Sequence, residues 1–198
     1  MRYNTPPQGH FRLLVLHAGT DDDPLRCSLC ESNIDTSPKY EALRYEWGPR
    51  TSRVPITCND RSVSITADAA AALRLFRSAG DKMLWMDQLC INQKNIDERR
   101  EQVQLMYKIF GGASRVLMWL GPDSRNLAPV MLEFMNELRD VWEKPFDDNI
   151  PNLHDRLSAH GLPPIDSVKW EAYRALMGLP YFRRVSVLRG RGFGWFMT

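Results

Sequence analysis

No run of apolar residues in this sequence approaches the roughly 18 that a membrane-crossing helix needs. The opening MRYNTPPQGHFRLLVLHAG holds one short apolar run between Pro and His, without the cleavage site of a signal peptide. A cytoplasmic protein without a membrane span is expected. An excess of one charge is lacking too: 26 basic residues stand against 24 acidic ones, a formal net charge of +2. That balance offers no electrostatic footprint for nucleic acid or lipid, so no nucleic-acid partner is expected. Cysteine is scarce, four in all. Cys27 and Cys30 make a lone CxxC, without the second close pair of a zinc site or the strand-to-helix setting of a redox motif. Cys58 and Cys90 lie in or beside apolar runs, where a thiol behaves as a small hydrophobe. No metal is expected. The histidines His10, His17, His154 and His160 all fall outside the segment that organises the chain, which speaks against a Ser/His/Asp or Cys/His hydrolase. Glycine-rich phosphate loops, internal repeats and low-complexity tracts are absent as well.

What is present is a chain of 198 residues, 43% hydrophobic and 25% charged, enough for one domain with a sizeable core and a smaller C-terminal appendage. Its organising segment, Lys82 to Leu120, reads KMLWMDQLCINQKNIDERREQVQLMYKIFGGASRVLMWL. A short apolar run stops at Asp87, a polar turn covers Gln88 to Asn95, helical spacing runs from Ile96 to Gly111, and a second apolar run covers Val116 to Leu120. Strand, loop, helix and strand in this order predict a right-handed βαβ unit with parallel strands. Asp87 then ends a strand, at the sheet edge where ligands of open α/β sheets bind, although Asp is also a common turn residue there. Asn95 to Glu98 has capping-box spacing: Asn95 accepts from the Glu98 N–H, and Glu98 reaches back to the first turn. Val103, Met106, Tyr107 and Phe110 are expected to face the sheet, leaving Arg99, Arg100, Glu101 and Lys108 in solvent.

Upstream, Phe11 to His17 reads as a buried strand, with Leu25 to Cys30 as its hairpin partner. In YEALRYEWG a period of two places Leu43, Tyr45 and Trp47 on one apolar face, opposite Ala42, Arg44 and Glu46. Val54 to Cys58 and Ser62 to Ile65 flank the tight-turn signal Asn59-Asp60-Arg61, an antiparallel pair. Thr66 is a helix N-cap, followed by a core face of Ala69, Ala72, Leu73 and Phe76. Downstream, 125–142 reads as a helix, 143–166 as a proline-interrupted loop with one helical turn near His154 to His160, Ser167 to Met177 as a helix, and Val185 to Leu188 as a strand. The expected divisions are a flexible lead over 1–10, a domain over 11–188 with its core at 40–122 and a helical part at 125–188, and an irregular tail at 189–198.

YEALRYEWG, then LWMDQLCINQKNIDERREQVQLMYKIFGGASRVLMWLGP, then WEAYRALMGLPYFRRV, in this order, resemble the heterokaryon incompatibility (HET) domain of filamentous fungi. The resemblance runs from Phe11 to Val187. It rests on Tyr40, Ala42, Leu43, Tyr45, Trp47 and Gly48 in the first motif. In the second it rests on Trp85, Asp87, Cys90, Ile91, Asn92, Gln93, Glu98, Arg99, Met106, Trp119, Leu120 and Gly121. Arg44 stands where the family has a small Ser, and Glu46 where it more often has an apolar residue. The last family motif is similar to FxRxWVxQE; this chain keeps Phe182, Arg184 and Val187 without its Trp, Gln and Glu. The tail is therefore expected to be a truncated or mispredicted end.

The resemblance implies a domain that triggers cell death after non-self recognition between fused fungal cells. It also implies similarity to TIR domains, with a flavodoxin-like α/β core, some of which cleave NAD. The fold expected on both grounds is α/β: a mixed, partly parallel sheet covered by helices, an antiparallel hairpin and a helical C-terminal part. Three functional readings follow. The first is a signalling domain that uses the YEALRYEWG strand and the central helix for protein partners or self-association. A second is an NAD-cleaving enzyme, without a resident cofactor and with NAD as substrate. In that reading a carboxylate of Glu98 or Asp87 stabilises an oxocarbenium-like state, Arg99 meets phosphate, and Tyr45 or Trp47 stacks on a ring. Asn92 and Gln93 complete the candidate ligand or partner surface. The third is an inactive, shortened paralogue.

Overall fold

The run FRLLVL forms β1 (His10–Leu16), the spine of a seven-stranded sheet. The computed structural model describes residues 3–20, 22–142 and 153–183. The other strands are β2 (Arg26–Asn33), β3 (Glu41–Tyr45), β4 (Arg53–Cys58), β5 (Arg61–Thr66), β6 (Lys82–Trp85) and β7 (Arg115–Trp119), in the order β5-β4-β2-β1-β6-β3-β7. β1 pairs antiparallel with β2, as the hairpin reading requires, and antiparallel with β6 on its other side. β4 and β5 form the second antiparallel pair, turned by Asn59 and Asp60 at φ 48° and 57°, the left-handed values a two-residue hairpin turn needs.

The mixed α/β class is as expected, with β6 and β7 parallel. They are not neighbours, however: β3 lies between them, parallel to both, with Ala42 opposite Trp85 on one side and Val116 on the other. Flanking strands pair both edges of β3, and core side chains pack on both of its faces. Ala42 and Leu43 are therefore both buried, where the alternation in YEALRYEWG suggested one apolar face.

Helices α1 (Ala67–Phe76), α2 (Asp87–Cys90) and α3 (Ile96–Gly112) complete this unit. Thr66 caps α1 as expected, its hydroxyl accepting from the Ala69 N–H at 3.3 Å. The polar turn after Asp87 proves to begin with α2, whose Gln88, Leu89 and Cys90 are buried. Their polar groups are met locally: Gln88 Oε1 accepts from the Thr66 N–H at 3.2 Å, and the Met86 N–H donates to Cys90 Sγ at 3.5 Å. Leu13, Leu14, Leu43, Leu73, Leu84 and Trp85 pack in one core; each such side chain contributes about 1.5–3 kcal/mol of burial.

α3 departs from its expected orientation. Its buried residues are Glu98, Gln102 and Ile109, with Leu105, Met106 and Phe110 partly buried. Val103 and Tyr107 face outward, 60% and 73% exposed. The cause is Arg12 of β1, which lies beneath the helix N-terminal half and draws a polar face inward. Arg44, the unusual residue of the first motif, lies with its guanidinium 5.7 Å from the Phe110 ring centroid of α3, a cation–π contact. The lead expected to be flexible is tied down at Tyr3, whose hydroxyl donates to Leu89 O at 3.0 Å, and at Pro6, which is buried.

The chain divides into two compact units, Met1–Gly121 and Pro122–Thr198. The second contains α4 (Ala128–Trp142), α5 (Leu153–Ala159), α6 (Val168–Met177) and a 3-10 turn at Pro180–Arg183. Asp123 opens α4, accepting from the Leu127 and Ala128 N–H groups at 2.9 and 2.8 Å. Phe134, Val141, Leu157 and Leu162 form its core, with Trp170 edge-on to Phe134 at 4.8 Å. The strand expected at 185–188 and the tail at 189–198 lie outside the described residues.

Candidate functional site

β3 and β6 run parallel, so their carboxyl ends share one edge of the sheet. There the chain leaves β3 toward Trp47 and leaves β6 directly into Asp87. The Trp47 indole N–H donates to both Asp87 carboxylate oxygens, at 3.0 and 2.9 Å. A forked bond of this kind fixes the carboxylate plane. Gln93 Nε2 donates to the Asp87 backbone carbonyl at 2.7 Å, anchoring the loop after α2. The buried Tyr45 hydroxyl faces the same carboxylate without closing a bond of good geometry. Burial first, then the negative charge of Asp87, holds its pKa well above the ordinary phenol value. Asp68, at the start of α1, adds a second carboxylate: a Cβ placed on Gly48, which has φ +65°, would lie 1.7 Å from Asp68 Oδ2.

Tyr45 is buried in the core, so Trp47 is the partly exposed ring at this edge, beside the carboxylates of Asp87 and Asp68. Among the described residues no cluster of His, Cys, Asp and Glu is arranged to hold a metal ion. A depression of about 220 Å³ lies elsewhere, walled by His17, Arg26, Cys27 and Asn59.

Glu98 belongs to a different constellation. Its side chain is wholly buried, paired with Arg12 through contacts of 2.6 Å at Oε1 and 3.1 Å at Oε2. Oε1 also accepts from the Asn92 N–H at 2.7 Å, and Arg12 donates to Cys90 O at 2.9 Å and stacks 4.7 Å over the Tyr3 ring. Asn95 does cap α3, accepting from the Asp97 and Glu98 N–H groups at 3.1 and 3.2 Å. The reciprocal half of the capping box is replaced: the Glu98 carboxylate turns inward to Arg12 and Asn92. Arg99 is exposed on α3.

The structure thus brings Asp87, Trp47, Tyr45 and Gln93 together, while Glu98 bonds to Arg12 and the Asn92 N–H. Sequence reasoning missed Arg12 and Asp68. Arg12 had a legible signal, a lone guanidinium within FRLLVL, since a charge in a buried strand demands a buried counter-charge. Asp68 had none beyond its place in a first helical turn.

The family model described as Heterokaryon incompatibility protein (HET) matches residues 40–189. Heterokaryon incompatibility protein 6, OR allele, of Neurospora crassa is 34% identical over 194 residues. That match covers 86% of this chain and 28% of the relative's length, so the chain spans less than a third of that protein. No solved structure matches. Among the described residues no helix is long and apolar enough to cross a membrane. With the first two motifs folded around one strand edge and the family model matched from Tyr40 onward, the chain belongs to the fungal heterokaryon incompatibility (HET) family.

Proposed function

We propose that this chain acts in the cytoplasm as an incompatibility-signalling module that promotes cell death through protein contacts rather than catalysis. The observation that carries the reading is the outer stripe of α3. Ile96, Val103 and Tyr107 are 68%, 60% and 73% exposed, and their spacings of seven and four put them on one line of the helix. Three large apolar side chains held in solvent on a rigid element are suited to bury a partner surface. Glu98 supports the same reading, because its oxygens are taken up inside the fold and are not presented to a substrate.

A second reading, cleavage of NAD in the manner of some TIR domains, is favoured by one observation, the Asp87 carboxylate fixed by Trp47 beside Tyr45. Inducible expression in a filamentous fungus separates the two. Under the contact reading, Val103→Glu with Tyr107→Glu abolishes growth arrest and dye uptake, whereas Asp87→Asn leaves both intact. The opposite pattern, together with nicotinamide release from NAD by the purified chain, would replace signalling by contact with catalysis.

A further inference from the structure

The CxxC spacing misleads about which thiols meet. Residues three apart on a strand point to opposite faces, and in β2 Cys27 is accordingly buried while Cys30 is exposed. The sheet instead sets Cys27 beside Cys58 of β4, its register partner on the neighbouring parallel strand. Register partners share a face, and these two lie in the core at 4% and 0% exposure. The Cys27 thiol donates to the backbone oxygen of Thr57, the residue before Cys58, at 3.5 Å. Neighbouring strands lie about 4.8 Å apart, within the range of about 4.4–6.8 Å between Cα atoms that a disulfide accepts. Cys27 also forms part of the wall of the 220 Å³ depression, with His17, Arg26, Thr57 and Asn59. A small oxidant therefore has a place to stand next to the pair.

We propose that Cys27 and Cys58 form an oxidisable dithiol, a site at which hydrogen peroxide converts two thiols into a disulfide tying β2 to β4. In the first step the Cys27 sulfur attacks one peroxide oxygen. An S–O bond forms, the O–O bond breaks, and the thiol proton leaves with the departing oxygen as water. The Cys58 sulfur then attacks the sulfenic sulfur of Cys27. An S–S bond forms, the S–O bond breaks, and the Cys58 proton leaves with that oxygen as a second water. Two thiols give up two electrons and the peroxide takes them. The neighbouring Cys27 thiol shifts Cys58 toward its thiolate, which suits Cys58 to the second attack. Its Cys58 neighbour first, and burial second, push the Cys27 thiol up and hold it protonated, so the first step is slow beside oxidation of the exposed Cys30.

The test treats the reduced full chain, and a Cys30→Ser form that lacks the exposed competitor, with hydrogen peroxide. Remaining thiols are alkylated in denaturant, and the unreduced digest is read by mass spectrometry. The expected result is loss of two thiols per Cys30→Ser chain, a Cys27 peptide joined to a Cys58 peptide, a monomeric band, and full reversal by dithiothreitol. Oxidation of Cys27 without a link to Cys58, a link through Cys90, or linkage that appears only after urea unfolds the chain would each overturn the proposal. Because the linked peptides are read in chains that retain both thiols, the result does not depend on whether a Cys58→Ser control folds.

Discussion

Gly48 shows how much one residue at the strand edge settles. Its φ of +65° belongs to the left-handed region, where a side chain costs about 1–3 kcal/mol, and the added Cβ would also meet the Asp68 carboxylate. Gly48→Ala is therefore expected to lower the unfolding free energy measured in urea by at least that amount and to displace Trp47 from Asp87, seen as a change in indole fluorescence. At this scale the sequence was partly legible. Trp47 and Asp87 are 40 residues apart, yet both lie just beyond apolar runs, so each could be placed at a strand end. That the two strands are neighbours is a matter of sheet order, which no local pattern encodes. Glu98 was misread in part because spacing alone describes a cap. The buried guanidinium that claims its carboxylate comes from 86 residues away.

Among the elements, β1 and α3 are joined by that same ion pair. Arg12 and Glu98 have side-chain exposures of 7% and 0%, so removing one partner strands a buried charge, at a cost of about 3–5 kcal/mol. Arg12→Met and Glu98→Leu are each expected to destabilise by that order in urea unfolding. The double variant should cost clearly less than the two together, since an apolar pair of similar volume leaves no charge stranded. Simple additivity would mean the pair does not act as a unit. The helix itself was legible from its period and its cap, but not its rotation. Counting apolar residues assigns Val103 and Tyr107 to the core, whereas the inward face is chosen by the polar needs of β1. The strands were legible by alternation and turn chemistry, except β3, where Ala42 and Leu43 are buried on opposite faces.

For the molecule as a whole, alkaline pH is the informative axis. Tyr3 is raised from 10.0 to about 12, chiefly by burial, and Tyr40 and Tyr45 are raised for the same leading reason. Folding thus favours the neutral phenols. For Tyr3 the contribution is complete below pH 10 and is lost as the pH climbs through about 12, and Tyr40 and Tyr45 act in the same direction. An alkaline titration followed by phenolate absorbance should find the buried tyrosines ionising late and together with unfolding. Independent titration near pH 10 in a still-folded chain would contradict their burial. The division into two units was only loosely legible, because a change from alternating to helical periodicity marks composition and not contact.

The position of β3 also bears on how the chain comes to be folded as it is made. Ser114 and Tyr40, bonded through side chain and backbone, stand 74 residues apart, and β3 emerges before either strand that will flank it. Contacts so distant in sequence repay their loop-closure cost late and slow the search. During synthesis β3 waits, with Ala42 and Leu43 not yet buried, while everything up to β7 is added. Its second edge is paired only when β7 arrives, and until then the nascent chain offers an interior strand in need of shelter.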